Sequence, residues 1–250
     1  MLRISLILCL LAGIAFADGP VRVTPETDLP IIDLDSAFSL ARIKTECLPA
    51  RESDPVARCR VKRFGDLGQV EGKNYFYVLY EWLDEQELRD ITRAAPQYPR
   101  TNTAVILFYS DQLAPNLLRP FYADRDDLNT GWFEEPTIFR GTNQVFLQIP
   151  HKSAATAEGE PDNLLIWQNQ NWRLIDTQSW MEDLQTRLPD GCSVIGSGKI
   201  NFLTMSASNM VWKNSDQRCC PTCGKIYASL ALEEDRLVIK SVQYDVKARK

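Results

Sequence analysis

The stretch from Gly191 to Tyr244 constrains this chain most, because it sets four of the seven cysteines inside a strand-like pattern. Two apolar runs, Ile200 to Trp212 and Ile226 to Leu232, are separated by a polar loop ending in Cys219-Cys220-Pro221-Thr222-Cys223-Gly224. A third run, Leu237 to Tyr244, follows the turn Glu233-Glu234-Asp235. Alternation of apolar and polar positions, with β-branched and aromatic residues abundant, favours strands. The stretch therefore reads as a β-meander stapled by disulfides.

Whether those cysteines are oxidised depends on compartment, and residues 1–17 address that. MLRISLILCLLAGIAFA has a basic start at Arg3, an apolar run and small residues at Ala15 and Ala17, the pattern of a secretory signal peptide. The expected location is secreted or periplasmic after cleavage near Ala17. The run is shorter than the ~20 residues that cross a bilayer, so no membrane insertion of the mature chain is expected. Cleavage removes Cys9 and leaves Cys47, Cys59, Cys192, Cys219, Cys220 and Cys223, an even set for an oxidising compartment. Cys47 and Cys59 most simply pair with each other. In the last quarter the expected long closure runs from Cys192 to Cys219 or Cys220, with the connectivity among Cys192, Cys219, Cys220 and Cys223 left open. The net charge of −5 becomes more negative once Arg3 is lost, which disfavours nucleic acid as a partner, since phosphate binding needs a basic surface.

Along the chain, prolines 20, 25 and 30 mark residues 18–34 as an extended leader. Apolar spacing predicts a helix over 36–47, capped by Asp35 or Ser36 and ended by Pro49. Residues 35–110 form a first unit of helix plus strands, with strands expected at 60–64, 74–83, 87–92 and 104–109. Prolines and charges make 111–136 a loop or boundary. Residues 137–250 form the second β half, with strands at 137–140, 145–149, 164–167 and 172–175. A short helix runs over 179–188, capped by Thr177 or Ser179, with Trp180, Leu184 and Leu188 on one face. The fold class expected is mostly β, antiparallel meanders with two short helices. Gly72, Gly159 and Gly224 each stand eight residues before a strand end, suggesting a strand–turn–strand unit used three times. Ordinary glycine-led hairpins would give the same pattern.

Candidate chemistry is sparse. Cys220-Pro221-Thr222-Cys223 is a C-x-x-C, but a redox pair of the thioredoxin kind needs a helix N-terminus after a buried strand. Here a polar run precedes it and a strand pattern follows, so structural disulfides are favoured over a redox pair or zinc. His151, the only histidine, follows a strand without a nucleophile elbow and reads as a solvated loop position. The acidic groups Asp33 with Asp35, Asp124 with Asp126 and Asp127, and Glu233 to Asp235 read as solvated turns. Trp167 and Trp172 flank a QNQN turn, either as a cross-strand core pair or as an aromatic platform for a sugar. No catalytic residue, metal ligand or cofactor is assigned.

Cys219-Cys220-Pro221 just before Gly224 and a strand–turn–strand resembles a motif of poorly characterised bacterial secreted proteins and lipoproteins. In these, CCP, a small residue and glycine precede a β-hairpin. The likeness spans roughly the last 60 residues, and Cys223 departs from it. It implies a disulfide-stapled envelope domain and supplies no catalytic residues. The functional expectation is an exported, non-catalytic β-rich protein that binds or scaffolds a protein or glycan partner. The alternative is a carboxylate-dependent glycan hydrolase or a thiol–disulfide protein using Cys220 and Cys223.

Overall fold

Tight turns with left-handed backbone set the strand registers. Glu71-Gly72 (φ 44° and 82°) and Asn169-Gln170 (φ 51° and 63°) each place two successive residues at positive φ, the turn geometry whose twist matches that of flanking strands. The computed structural model describes residues 36–48, 58–83, 102–126, 131–141, 143–153, 162–196, 198–217 and 220–245. The expected strand at 87–92, the leader, Asp33, Asp35, Pro49 and Gly159 lie outside them.

The described residues begin with β1 (Phe38–Ser39), α1 (Leu40–Thr45), β2 (Arg58–Val70), β3 (Lys73–Leu83), β4 (Asn102–Ser110) and β5 (Leu117–Asp126). It continues through β6 (Gly131–Phe133), β7 (Thr137–Arg140), β8 (Val145–Ile149), β9 (His151–Ser153), β10 (Asn163–Gln168) and β11 (Asn171–Ile175). After α2 (Ser179–Gln185) come β12 (Cys192–Val194), β13 (Lys199–Asn201), β14 (Ser206–Lys213), β15 (Gly224–Glu233) and β16 (Arg236–Asp245). Three antiparallel sheets result: a first sheet in the order β1-β5-β4-β3-β2, a middle sheet β11-β10-β8-β7, and a last sheet β12-β14-β15-β16 with β13 also on β14. β6 and β9 pair with each other as a separate two-stranded ribbon. The protein is mostly β and antiparallel, with two helices among the described residues.

The middle sheet is buried on both faces. Leu147, Ile149, Leu165 and Trp172 pack with Tyr75, Val105, Leu107 and Phe121 of the first sheet. The alternate residues Phe146, Leu164, Ile166 and Ile175 pack with Val211, Ile226, Leu230 and Leu237 of the last sheet. This is the period-two alternation of a strand read against two cores at once. On the far side of the first sheet, α1 adds Ile43 to Val78, Tyr80, Ile106 and Phe108.

Both helices are shorter than their sequence patterns. Phe38 and Ser39 pair with Leu118 and Leu117, so α1 begins only after them and Ser39, rather than Asp35 or Ser36, accepts the Arg42 amide at 3.3 Å. In α2, Trp180 and Leu184 are fully buried as their spacing predicts. Asp176 Oδ1 accepts the amides of Gln178 and Ser179 at 3.0 Å, in place of a cap from Thr177 or Ser179.

The described part of residues 111–136 is not one loop, because β5 and β6 lie within it. Pro120 is accommodated at a register shift: Leu107 pairs with Tyr122 and Phe108 with Pro120, leaving Phe121 unopposed. A bulge is where a strand tolerates a residue without an amide proton. The run Ile200 to Trp212 is two strands, since Met205 (φ 47°) turns the chain and Asn201 Oδ1 accepts the amides of Leu203 and Thr204. Of the proposed strand–turn–strand units, β10–β11 and β15–β16 are each closed by a tight turn, at Asn169-Gln170 and Glu234-Asp235, and lie at the ends of the middle and last sheets. In the first sheet the tight turn at Glu71-Gly72 precedes β3, whose onward partner β4 begins only at Asn102.

Candidate functional site: a buried polar seam

Alternation along β5 puts Tyr122, Asp124 and Asp126 on one face, the face that Tyr122 shares with the core between the first and middle sheets. On the opposing side, β8 ends at Ile149, Pro150 breaks the ladder, and β9 resumes at His151. His151 is 6% exposed and Asp126 5%. The histidine is thus a buried strand residue, correcting its reading as a solvated loop position, and Asp126 is likewise buried, with Asp124 half-buried, on β5 rather than in a solvated turn.

Each carboxylate of the seam is bonded into the fold. Asp126 Oδ2 accepts the Gly131 amide at 2.6 Å and lies 3.7 Å from His151 Nε2. A side chain at Gly131 would put its Cβ 2.1 Å from the Lys152 carbonyl and 2.7 Å from His151 Cε1, so only glycine lets the β6–β9 ribbon close on the imidazole. Phe133 packs edge-on against His151, ring centroids 4.9 Å apart, and its amide donates to Thr103 Oγ1 at 3.3 Å. Asp162, just before β10, accepts Gln148 Nε2 at 2.5 Å and the His151 amide at 3.1 Å. Asp124 Oδ2 accepts the Tyr122 hydroxyl at 2.9 Å and Asn163 Nδ2 at 2.7 Å, and Oδ1 accepts the Arg125 amide at 2.8 Å. Burial raises the Asp124 pKa above the usual carboxylate range against those hydrogen bonds and the charge of His151. Burial likewise drives the Tyr122 phenol well above its ordinary value, with Asp124 adding to it.

The seam sets Asp126 3.7 Å from the imidazole, with Asp162 on the His151 amide and Asp124 on Tyr122 and Asn163, where sequence reasoning singled out Asp124, Asp126 and His151 separately and passed over Tyr122, Gly131, Gln148, Asp162 and Asn163. The Tyr122-x-Asp124-x-Asp126 spacing was the available signal, since period two puts all three on one face. Trp167 and Trp172 do pair across the strands, centroids 5.2 Å apart. They face inward: Trp172 is 1% exposed and meets Tyr75 and Phe121. Of the acidic turns, Glu233 to Asp235 holds, with Asp235 accepting from Arg173 at 3.0 Å.

In the last sheet Cys192 is bonded to Cys223, Cα atoms 6.3 Å apart, and not to Cys219 or Cys220. The register explains the choice: Cys192 lies opposite Lys213 on one side of β14, while the Cys223 amide donates to Val211 on its other side. Cys47 and Cys220 are also disulfide-bonded. The pairing of Cys47 with Cys59 rests on a side chain outside the described residues, as does any bond of Cys219. The C-x-x-C is not closed on itself, because Cys223 is taken by Cys192. Asp216 fastens the turn between them, accepting Lys213 N, Thr222 N and Thr222 Oγ1 at 2.7 Å each. The Thr222 hydrogen bond leads in holding its carboxyl below the ordinary value.

Among the described residues, no cluster of three or more histidine, cysteine or acidic side chains is arranged to hold a metal, and no helix is long and apolar enough to cross a membrane. Comparisons with protein-family models, with curated proteins and with solved structures returned no match.

Proposed function

We propose that the protein is an exported, non-catalytic β-rich module that binds or scaffolds a protein or glycan partner in the envelope or outside the cell. The observation that carries this reading is the position of His151 with Asp126: both are buried where two sheets meet, Asp126 accepts the Gly131 amide, and the His151 amide donates to the Asp162 carboxylate. Buried polar groups used this way hold a fold together. Cys223, taken by Cys192, supports a staple over a thiol–disulfide activity.

A second reading, a carboxylate-dependent glycan hydrolase, draws on Asp124, whose raised pKa is the property a general acid needs. Stability separates the two. If the seam is structural, Asp126→Asn and His151→Gln each lower stability by about 1–3 kcal/mol, the range for buried groups left unsatisfied. Catalytic groups are commonly held at the expense of stability, so a rise in melting temperature for both variants overturns the structural reading.

A further inference from the structure

The last sheet has an outward face that no core claims. Alternation puts Ala207, Val211, Ile226 and Ala228 into the core and turns the residues between them outward. Strand register sets these in three rows across β14, β15 and β16. Ser206, Ser229 and Ser241 form one row, and Ser208, Tyr227 and Gln243 the next. Met210, Lys225 and Asp245 form the third. Tyr227 is 44% exposed and Met210 38%. Ser229, Ser241 and Gln243 are exposed as well, so hydroxyl and amide groups surround the phenol ring. Lys225, two residues before Tyr227 on the same side, holds its ammonium 4.6 Å from the ring centre. The cation takes one face of the ring and leaves the face toward the Ser229 row. A shelf results, with one aromatic wall over a floor of three hydroxyls.

We propose that this shelf is a subsite for a neutral glycan, with one sugar ring laid against Tyr227 and its hydroxyls bonded to the serines and Gln243. The proposal rests on the reading of the protein as a binding module, and adds the ligand class and the site. The apolar C–H face of a pyranose suits an aromatic ring, and its hydroxyls suit small groups that both donate and accept. Charge favours a neutral ligand: Lys225 lies opposite Asp245, so the three rows carry no net charge of their own. Size disfavours a folded protein. Three rows on three strands span about 10 Å by about 13 Å. The patch stops at the Lys240–Glu233 ion pair on one side and at Trp212, 6% exposed, on the other. A stable protein interface takes roughly 800 Å² per partner, several times that area, whereas a short run of sugar rings fits.

The test titrates the disulfide-intact protein with neutral β-linked hexasaccharides of glucose, mannose and N-acetylglucosamine, following backbone amide shifts and binding heat. Saturable shifts on β14, β15 and β16 are expected with at least one of them, and affinity should change less than about twofold between low and high salt. Tyr227→Ala is expected to weaken binding about tenfold or more. Ser229→Val should weaken it about threefold without lowering the melting temperature, since valine favours strands. Leu113→Ser, fully exposed between β4 and β5, should bind as the wild type does. No binding of any of the three sugars, unchanged affinity in Tyr227→Ala, an equal loss in Leu113→Ser or a steep loss with salt overturns the proposal. Concentration-dependent shifts of the same amides without sugar overturn it in favour of a second copy of the chain. Sugar shifts confined to another surface sink this site and spare the binding reading. Release of shorter sugars from a hexasaccharide bound at the shelf spares the site and sinks the non-catalytic reading. Should Tyr227→Ala fail to fold, Ser229→Val and the shift map decide.

Discussion

The seam between the first and middle sheets and the stapled end of the last sheet solve the same problem differently. Both must fix elements that only a few short strands define. The seam uses buried carboxylates, amides and one imidazole around a large aromatic core. The last sheet uses a covalent link across β14 and an Asp216-anchored turn. A covalent link acts mainly by restricting the unfolded chain, whereas a polar network acts only while the folded geometry holds. The first kind of fastening therefore shows in composition, and the second appears only when the strands are assembled.

The largest effect should come from the seam's apolar side. Trp172→Ala empties a site that is 1% exposed and is expected to destabilise by about 3–5 kcal/mol in denaturant unfolding. A loss under about 1 kcal/mol would mean that the two sheets are not held by this core. Next, Cys192→Ser with Cys223→Ser opens a link between cysteines 31 residues apart and is expected to lower stability by about 2–4 kcal/mol. Exchange should then quicken in β12 and β15 while β5 stays protected. Equal loosening in both regions would break the contrast drawn between them. The smallest effect should be Arg173→Ala, which removes the 3.0 Å ion pair to Asp235 between middle and last sheets. Both partners are about two-fifths exposed or more, so a change of only ~0.2–1 kcal/mol is expected, shrinking with salt.

Strands with clean alternation and flanking turn residues were legible: β7 and β8 occupy the predicted residues, and β10, β11, β15 and β16 extend theirs by one or two. β5 was not, because Pro120 and four charges between Arg119 and Asp126 look like a loop unless a bulge and a buried seam are already known. β9 failed for a related reason, since a proline at 150 reads as the end of a strand when it only separates two. The site was illegible as a site. Asp126 and His151 are 25 positions apart, a separation evident from their numbering, and no local pattern joins them. The cysteines announced a staple, but choosing Cys223 over Cys219 or Cys220 needed the register of β12, β14 and β15.

The middle sheet's two apolar faces also bear on how the chain can acquire its shape. Its strands span residues 137–175, and their two covers come from opposite sides of them in the sequence. As the polypeptide emerges from its N-terminus, the inner face of the first sheet stays bare until Leu147, Leu165 and Trp172 arrive. Their arrival in turn bares Phe146, Leu164 and Ile166 until β14 to β16 are made. At each stage one greasy surface is covered and another uncovered, so a chain stopped between residues 175 and 206 carries a bare apolar face on its middle sheet.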